Sequence, residues 1–180
     1  IQAPINPFKP RQMSDSQILA TIEDYARCAS LAKKAGYDGV EIMGSEGYLI
    51  NQFLSNHVNK RTDRWGGDLD LVQDGNTMQE VIIVAKALEK AGITLLNTGI
   101  GWHEARIPTI VTSVPRAAFV DYTAEVKQHV SVPVIASNRI NMPDVAEEIV
   151  ASGQADMVQM ARPFLADPYW VNKTATNRVD

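Results

Sequence analysis

The chain has 180 residues, 45% of them hydrophobic, with 21 acidic against 17 basic residues and a net charge of −4. That is enough chain for one domain with a real core, and the acidic balance argues against nucleic acid or an anionic membrane surface as its main partner. The one cysteine, Cys28, excludes a disulfide framework and any cysteine-only metal or iron–sulfur site within the chain, and no apolar run approaches membrane-spanning length. The opening residues hold no signal-peptide core, so a cytoplasmic location is the expectation.

Residues 1–12 carry three prolines and read as a loop. Ser14-Asp15-Ser16-Gln17 then has the form of a capping box, with Ser14 capping and Gln17 reaching back. Ile18, Ile22, Tyr25, Ala29 and Ala32 follow at helical spacing, and Gly36 suits the left-handed residue past the helix end. Cys28 falls inside this helix as a small packing residue, with nothing beside it to lower a thiol pKa. Residues 39–43 read as a short strand running into the turn Gly44-Ser45-Glu46-Gly47-Tyr48. Three more strands are expected over 93–98, 132–137 and 157–160. Each follows a helix: 77–91 (closed by Gly92), about 116–129, and 142–151. These strands lack clean alternation, as parallel strands covered on both faces do. Alternating helices and strands of this kind mean an α/β fold. A closed eight-stranded barrel takes about 250 residues, so the expectation is a partial (β/α)8 TIM barrel, roughly its second half, forming one domain over 1–180.

In a βα barrel the chemistry sits at the carboxyl ends of the strands. Tyr48, on a glycine-flanked turn there, reads either as a proton donor to a developing carbanion or as an aromatic plug with a structural hydroxyl. His103 follows the strand over 93–98 and a Gly-Ile-Gly turn, at the same rim. It could hydrogen-bond a substrate carbonyl or set the protonation of the tyrosine, or be a polar surface residue. Asn138-Arg139 and Arg162-Pro163 follow the last two strands, the usual phosphate corner of this architecture. Both arginines would suit a phosphate bidentately; both could equally form surface ion pairs. Glu46 could orient Tyr48 or a substrate group, but reads more readily as a solvated carboxylate. His129 reads as a favourable charge at a helix C-terminus, and His57 has no assigned role.

The stretches AGYDGVEIMGSEGYLINQFL (35–54), NKRTDRWGGD (59–68), GWHEARIP (101–108) and ARPFLADP (161–168) resemble the Old Yellow Enzyme family, and within it the bacterial 2,4-dienoyl-CoA reductases. The resemblance spans the chain apart from one gap. Asp68 runs almost directly into Leu71-Val72-Gln73-Asp74-Gly75, and about one βα unit is missing there. The resemblance implies an FMN-dependent ene reductase acting on 2,4-dienoyl-CoA thioesters in unsaturated fatty acid β-oxidation. Tyr48 would be its proton donor and His103 its active-site partner. Ala161 and Arg162 would hold the FMN phosphate, with Arg139 near the cofactor. Asn59, Arg61, Asp63, Arg64, Gly66 and Gly67 match a signature segment whose implied job is to brace the loop beneath the site.

In the intact relatives electrons pass from NADPH through FAD and a 4Fe-4S cluster to FMN. The segments for FAD, cluster and NADPH, like the first three barrel strands, fall outside this sequence. The implied partner is a small acyl-CoA, with no nucleic acid and no membrane. Two alternatives stand beside this one: another iron–sulfur flavin oxidoreductase of the superfamily, and a non-catalytic half-barrel remnant. The remnant would expose sheet edges and an apolar inner face, which favours self-association.

Overall fold

A computed structural model describes residues 7–55, 58–66, 77–101 and 107–178, and the chain divides into two compact units, Ile1–Gly44 and Ser45–Asp180. In the first unit, helix α1 (Asp15–Lys34) starts on the expected capping box. The Gln17 N–H donates to Ser14 Oγ at 3.2 Å and the Ser14 N–H donates to Gln17 Oε1 at 2.9 Å, which satisfies two of the four donors a helix start leaves open. Lys33 and Lys34 complement the C-terminal end of the helix dipole. Beyond the cap, Gly36 takes φ 93° and its N–H donates to Lys33 O, as the sequence predicts. Residues 39–43 depart from expectation: they form no strand. A strand is held by the backbone groups of a neighbour, and no neighbour pairs with these residues among those described. Val40, Ile42 and Met43 are exposed accordingly.

The second unit contains α2 (Leu49–Leu54), α3 (Met78–Ala91), β1 (Leu96–Thr98), α4 (Val120–Lys127), β2 (Val134–Ala136), α5 (Pro143–Ala151), β3 (Met157–Val158), α6 (Arg162–Ala166) and α7 (Trp170–Ala175). The three strands form one parallel sheet in the order β1-β2-β3. Leu96 lies opposite Val134, Thr98 opposite Ala136, and Ile135 opposite Met157. Each strand sits inside the range expected for it but is shorter. Helix α3 carries a second capping box, Thr77 with Glu80, and ends on Gly92 at φ 96°. Helix α4 begins at Val120, later than the expected 116. Ala117 takes φ 55° and its N–H donates to Arg139 O at 3.1 Å, which diverts the preceding backbone from helical geometry.

Helix α3 packs on α4, α4 on β2, and α5 on β3. The core joins Val120, Ala136, Ile140, Ala146, Ile149 and Ala155, with Val158 and Met160 against it. Val134 and Ala136 have no exposed surface. Thr123 is buried beside them, and its hydroxyl is satisfied by Thr98 Oγ1 at 2.6 Å. This is the helix-covered parallel sheet of a partial (β/α)8 barrel.

Two carboxylates tie down the N-terminal rim of the sheet. Glu89 Oε1, on α3, accepts the N–H groups of Ser131 and Val132 at 2.6 and 3.2 Å. Asp156 accepts the Val134 N–H at 2.8 Å and Lys127 Nζ at 2.9 Å, linking β2, the end of α4 and the entry to β3. The Lys127 hydrogen bond, and then the Val134 amide, hold the Asp156 carboxyl below its ordinary 3.8. The folded chain therefore keeps this charge to lower pH than the unfolded chain does. Its contribution to stability is full above that ordinary value and is lost as pH falls through the depressed one. Asp156→Asn should flatten the acid limb of a urea-midpoint titration below about pH 4; an acid limb identical to wild type would remove Asp156 from this role.

Candidate active site

The opposite, C-terminal rim collects the residues with chemistry. Glu46 and Gly47 are consecutive left-handed residues, at φ 64° and 87°. The reversal they make is pinned from both sides of α2. The Gly47 N–H donates to Asn51 Oδ1 at 2.8 Å, and Gln52 Nε2 donates to Gly47 O at 2.9 Å. Tyr48 becomes the N-cap residue of α2 without a side-chain cap hydrogen bond, and it is about half exposed at 47%. The turn lies against the end of β1. A Cβ built on Gly99 would sit 3.6 Å from Ser45 Oγ and 3.8 Å from Glu46 Oε1, ordinary contact distances that place the turn beside this strand end. Glu46, expected to be solvated, is half-buried beside that strand end.

The signature segment closes on itself. Asn59 Nδ2 donates to Phe53 O and Trp65 O at 2.9 and 2.8 Å, which ties the loop to the end of α2. Arg61 Nε reaches Asp63 Oδ1 at 2.9 Å, and this bond is the main cause holding the Asp63 carboxyl below its ordinary range. Arg64 stacks over the Trp65 ring at 4.9 Å. A Cβ on Gly66 would collide with the Arg61 carbonyl, so the loop closes only with glycine there. These residues act on the loop itself, which is the bracing role implied for them; Gly67 lies outside the described residues.

At the end of β2, Asn138 and Arg139 are again consecutive left-handed residues, at φ 66° and 60°. Non-glycine residues carry a cost in that region, and such outliers cluster at functional sites. Arg139 is half-buried and donates through Nε to Val114 O at 2.8 Å. After β3, Ala161 is the N-cap residue of α6 without a side-chain cap, and Arg162 opens the helix. Arg162 is exposed and donates through Nη1 to Ile110 O at 3.1 Å. Because β2 and β3 are hydrogen-bonded neighbours, the two arginines stand at adjacent strand ends, and both reach the segment that follows β1. A guanidinium has five N–H donors. Each arginine spends one on a carbonyl in these bonds, which orients the fork and leaves further donors for an anion.

Tyr48 is thus brought to the end of β1, and Arg139, Ala161 and Arg162 to the ends of β2 and β3. His103 and Trp102 lie outside the described residues, as does His57. His129, just past the C-terminus of α4, pairs with Glu125 on that helix at 3.2 Å. Sequence reasoning placed Asn138 beside Arg139 at the phosphate corner but gave it no role of its own, and missed Ser137 and Thr109, to which it is joined by side-chain hydrogen bonds at this rim. The available signal was Asn138 directly after a strand, since asparagine tolerates left-handed backbone. Among the described residues no cluster of His, Cys, Asp or Glu could hold a metal, and no helix is long and apolar enough to cross a membrane.

Known proteins match this chain over nearly its whole length. The family model of the NADH:flavin oxidoreductase / NADH oxidase family matches residues 2–71 and 68–180, two stretches that meet at the junction after Asp68. A metal reductase of Desulforamulus reducens is 40% identical over 195 residues, covering 91% of this chain and 29% of its own. An NADH oxidase of Thermoanaerobacter brockii is 32% identical over 203 residues, covering 94% and 31%. Both aligned spans exceed the 180 residues present, so these relatives carry residues that this chain lacks. The chain spans about a third of the length of these two relatives. Among solved structures, a 2-naphthoyl-CoA reductase in complex with 2-naphthoyl-CoA superposes with a TM-score of 0.92 at 32% identity, over 99% of this chain and 32% of that one. Morphinone reductase, at 20% identity and a TM-score of 0.73, shares the fold. With both halves of the sequence matched by one family model, and its helices and parallel strands superposing on the same architecture, the chain belongs to the NADH:flavin oxidoreductase / NADH oxidase family.

Proposed function

We propose that this chain is the FMN-binding part of an ene reductase of the 2,4-dienoyl-CoA reductase type, which reduces a conjugated acyl thioester at the expense of NADPH. The observation that carries the reading is the pair of arginines at adjacent strand ends, Arg139 and Arg162, each oriented by a backbone carbonyl with donors left over. The donor set fits a flavin phosphate. Two forks supply charge-assisted hydrogen bonds, and no side chain caps the Arg162 N–H that opens α6. Family membership supports the flavin. The acyl-CoA bound by the naphthoyl-CoA reductase, and a cinnamate reductase 27% identical to this chain, support a conjugated substrate.

When bound, FMN supplies a hydride to one end of the conjugated system. Tyr48 supplies the proton at the other end: its Oη, on a turn held by Asn51 and Gln52, loses the proton to the developing carbanion. His103 hydrogen-bonds the thioester carbonyl or restores the tyrosine proton. In the whole protein NADPH, FAD and a 4Fe-4S cluster supply the electrons from other segments; Cys28 is the one cysteine in this sequence.

The second reading is the non-catalytic half-barrel, favoured by residues 39–43, which are exposed and join no strand among the described residues. One measurement separates the two. The purified chain is incubated with excess FMN, freed of unbound cofactor, and its flavin absorbance read. Stoichiometric retained FMN is the expected result. A colourless protein whose helical circular dichroism is native would assign FMN binding, and the activity with it, to longer forms of the protein.

A further inference from the structure

We propose that Asn138 is a positioning residue that clamps the two ends of the segment carrying His103 to the end of strand β2. Its side chain makes three contacts within hydrogen-bond reach. Oδ1 accepts the Ile100 N–H at 2.9 Å and faces Ser137 Oγ at 3.0 Å, and Nδ2 faces Thr109 Oγ1 at 3.5 Å. Ile100 and Thr109 bracket residues 101–108, which include His103 by sequence. The two ends approach closely: a Cβ built on Gly101 would lie 3.2 Å from Thr109 Oγ1. Ser137 Oγ also lies 3.0 Å from Thr98 O, so its one proton is divided between the last carbonyl of β1 and Asn138 Oδ1. The amide orientation follows from the partners, because Ile100 N–H can only donate and must face the oxygen.

The plain alternative is that Asn138 is chosen only for its backbone. Its φ of 66° is left-handed, a conformation that asparagine adopts at lower cost than most residues and glycine at lowest cost. The two roles make opposite predictions for glycine. A backbone role is fully kept by Asn138→Gly, whereas the clamp is deleted by it. Asn138→Asp keeps the acceptor for the Ile100 N–H and tolerates the left-handed backbone.

The clamp itself is independent of the chemistry proposed above; only its catalytic consequence rests on reading His103 as an active-site residue. The test is amide hydrogen exchange on the 180-residue chain and its variants, comparing the Ile100 amide and the 107–110 stretch with α3 and α5 as internal references. In Asn138→Gly, protection at Ile100 should fall about tenfold, the worth of one part-buried hydrogen bond, with α3 and α5 unchanged. In Asn138→Asp, protection at Ile100 should be largely restored. Thr109→Val should loosen 107–110 and leave Ile100 protected. Wild-type protection in Asn138→Gly, or equal loss in the glycine and aspartate variants, would overturn the clamp. If Asn138→Gly loosens the references as well, Asn138→Asp and Thr109→Val decide: the residue is part of general stability if neither shows a local effect. In the whole enzyme, an intact clamp together with an inert His103→Ala would leave Asn138 as described and remove only the catalytic role of His103.

Discussion

Replacing Tyr48 by Phe in the whole enzyme is expected to lower product formation by about 10²–10⁴-fold, the usual worth of a positioned general acid, while NADPH reduces the flavin at the wild-type rate. The substitution removes one oxygen and keeps the ring. Tyr48 is N-cap of α2 through its backbone alone, with its carbonyl accepting the Gln52 N–H at 3.0 Å, so the turn does not depend on the phenol as a helix cap. The left-handed pair Glu46-Gly47 and the bonds from Asn51 and Gln52 remain in place. A deficit confined to the second half of the catalytic cycle therefore reports the hydroxyl. Rapid-mixing measurement of the two half-reactions separates them. Equal loss of both would mean that Tyr48 is structural, and no loss in either would mean that the proton comes from elsewhere.

The second large effect is expected on cofactor affinity. Arg162→Ala should weaken FMN binding by about 10–150-fold, from about 1.5–3 kcal/mol for hydrogen bonds to a charged group. Riboflavin, which lacks the phosphate, should bind with unchanged affinity. Arg162 is the cleaner of the two arginines to test, because it is exposed and its protein contact is one bond to Ile110 O. Arg139 is half-buried, supports Val114 O, and offers its own carbonyl to Ala117, so its removal disturbs the loop before α4 as well. Arg139→Lys keeps the charge but not the fork, and should cost FMN more than it costs riboflavin. Titrations in which both ligands weaken alike would take these arginines off the phosphate.

The contrast between the two rims gives these tests their meaning. At the N-terminal rim Glu89 and Asp156 bind backbone amides and one lysine, bonds that close the sheet. At the C-terminal rim Arg139 and Arg162 each spend one donor on a backbone carbonyl and keep others in reserve. The backbone there is repeatedly left-handed, at Glu46, Gly47, Asn138 and Arg139. Stability at one end and chemistry at the other is the general division of a βα barrel.

Local signals were fully legible in the sequence. Ser14 with Gln17, and Gly36 and Gly92 past their helices, act through residues three or four positions away, and they appear as read. The alternation of helices and strands, and with it the α/β class, is equally local. The wording of residues 35–54, 59–68, 101–108 and 161–168 points to the family by itself. What sequence could not decide was anything that needs a distant partner. Residues 39–43 have the composition of a strand, yet a strand exists only where a neighbour supplies its hydrogen bonds, and none does so among the described residues. The late start of α4 depends on Arg139 O, twenty-two positions from the Ala117 N–H that it accepts. The Asn138 clamp joins positions separated by 38 and 29 residues. A hydrogen bond over such a separation leaves no periodicity in the chain, so only the folded sheet, by setting β1 beside β2, brings its partners within reach.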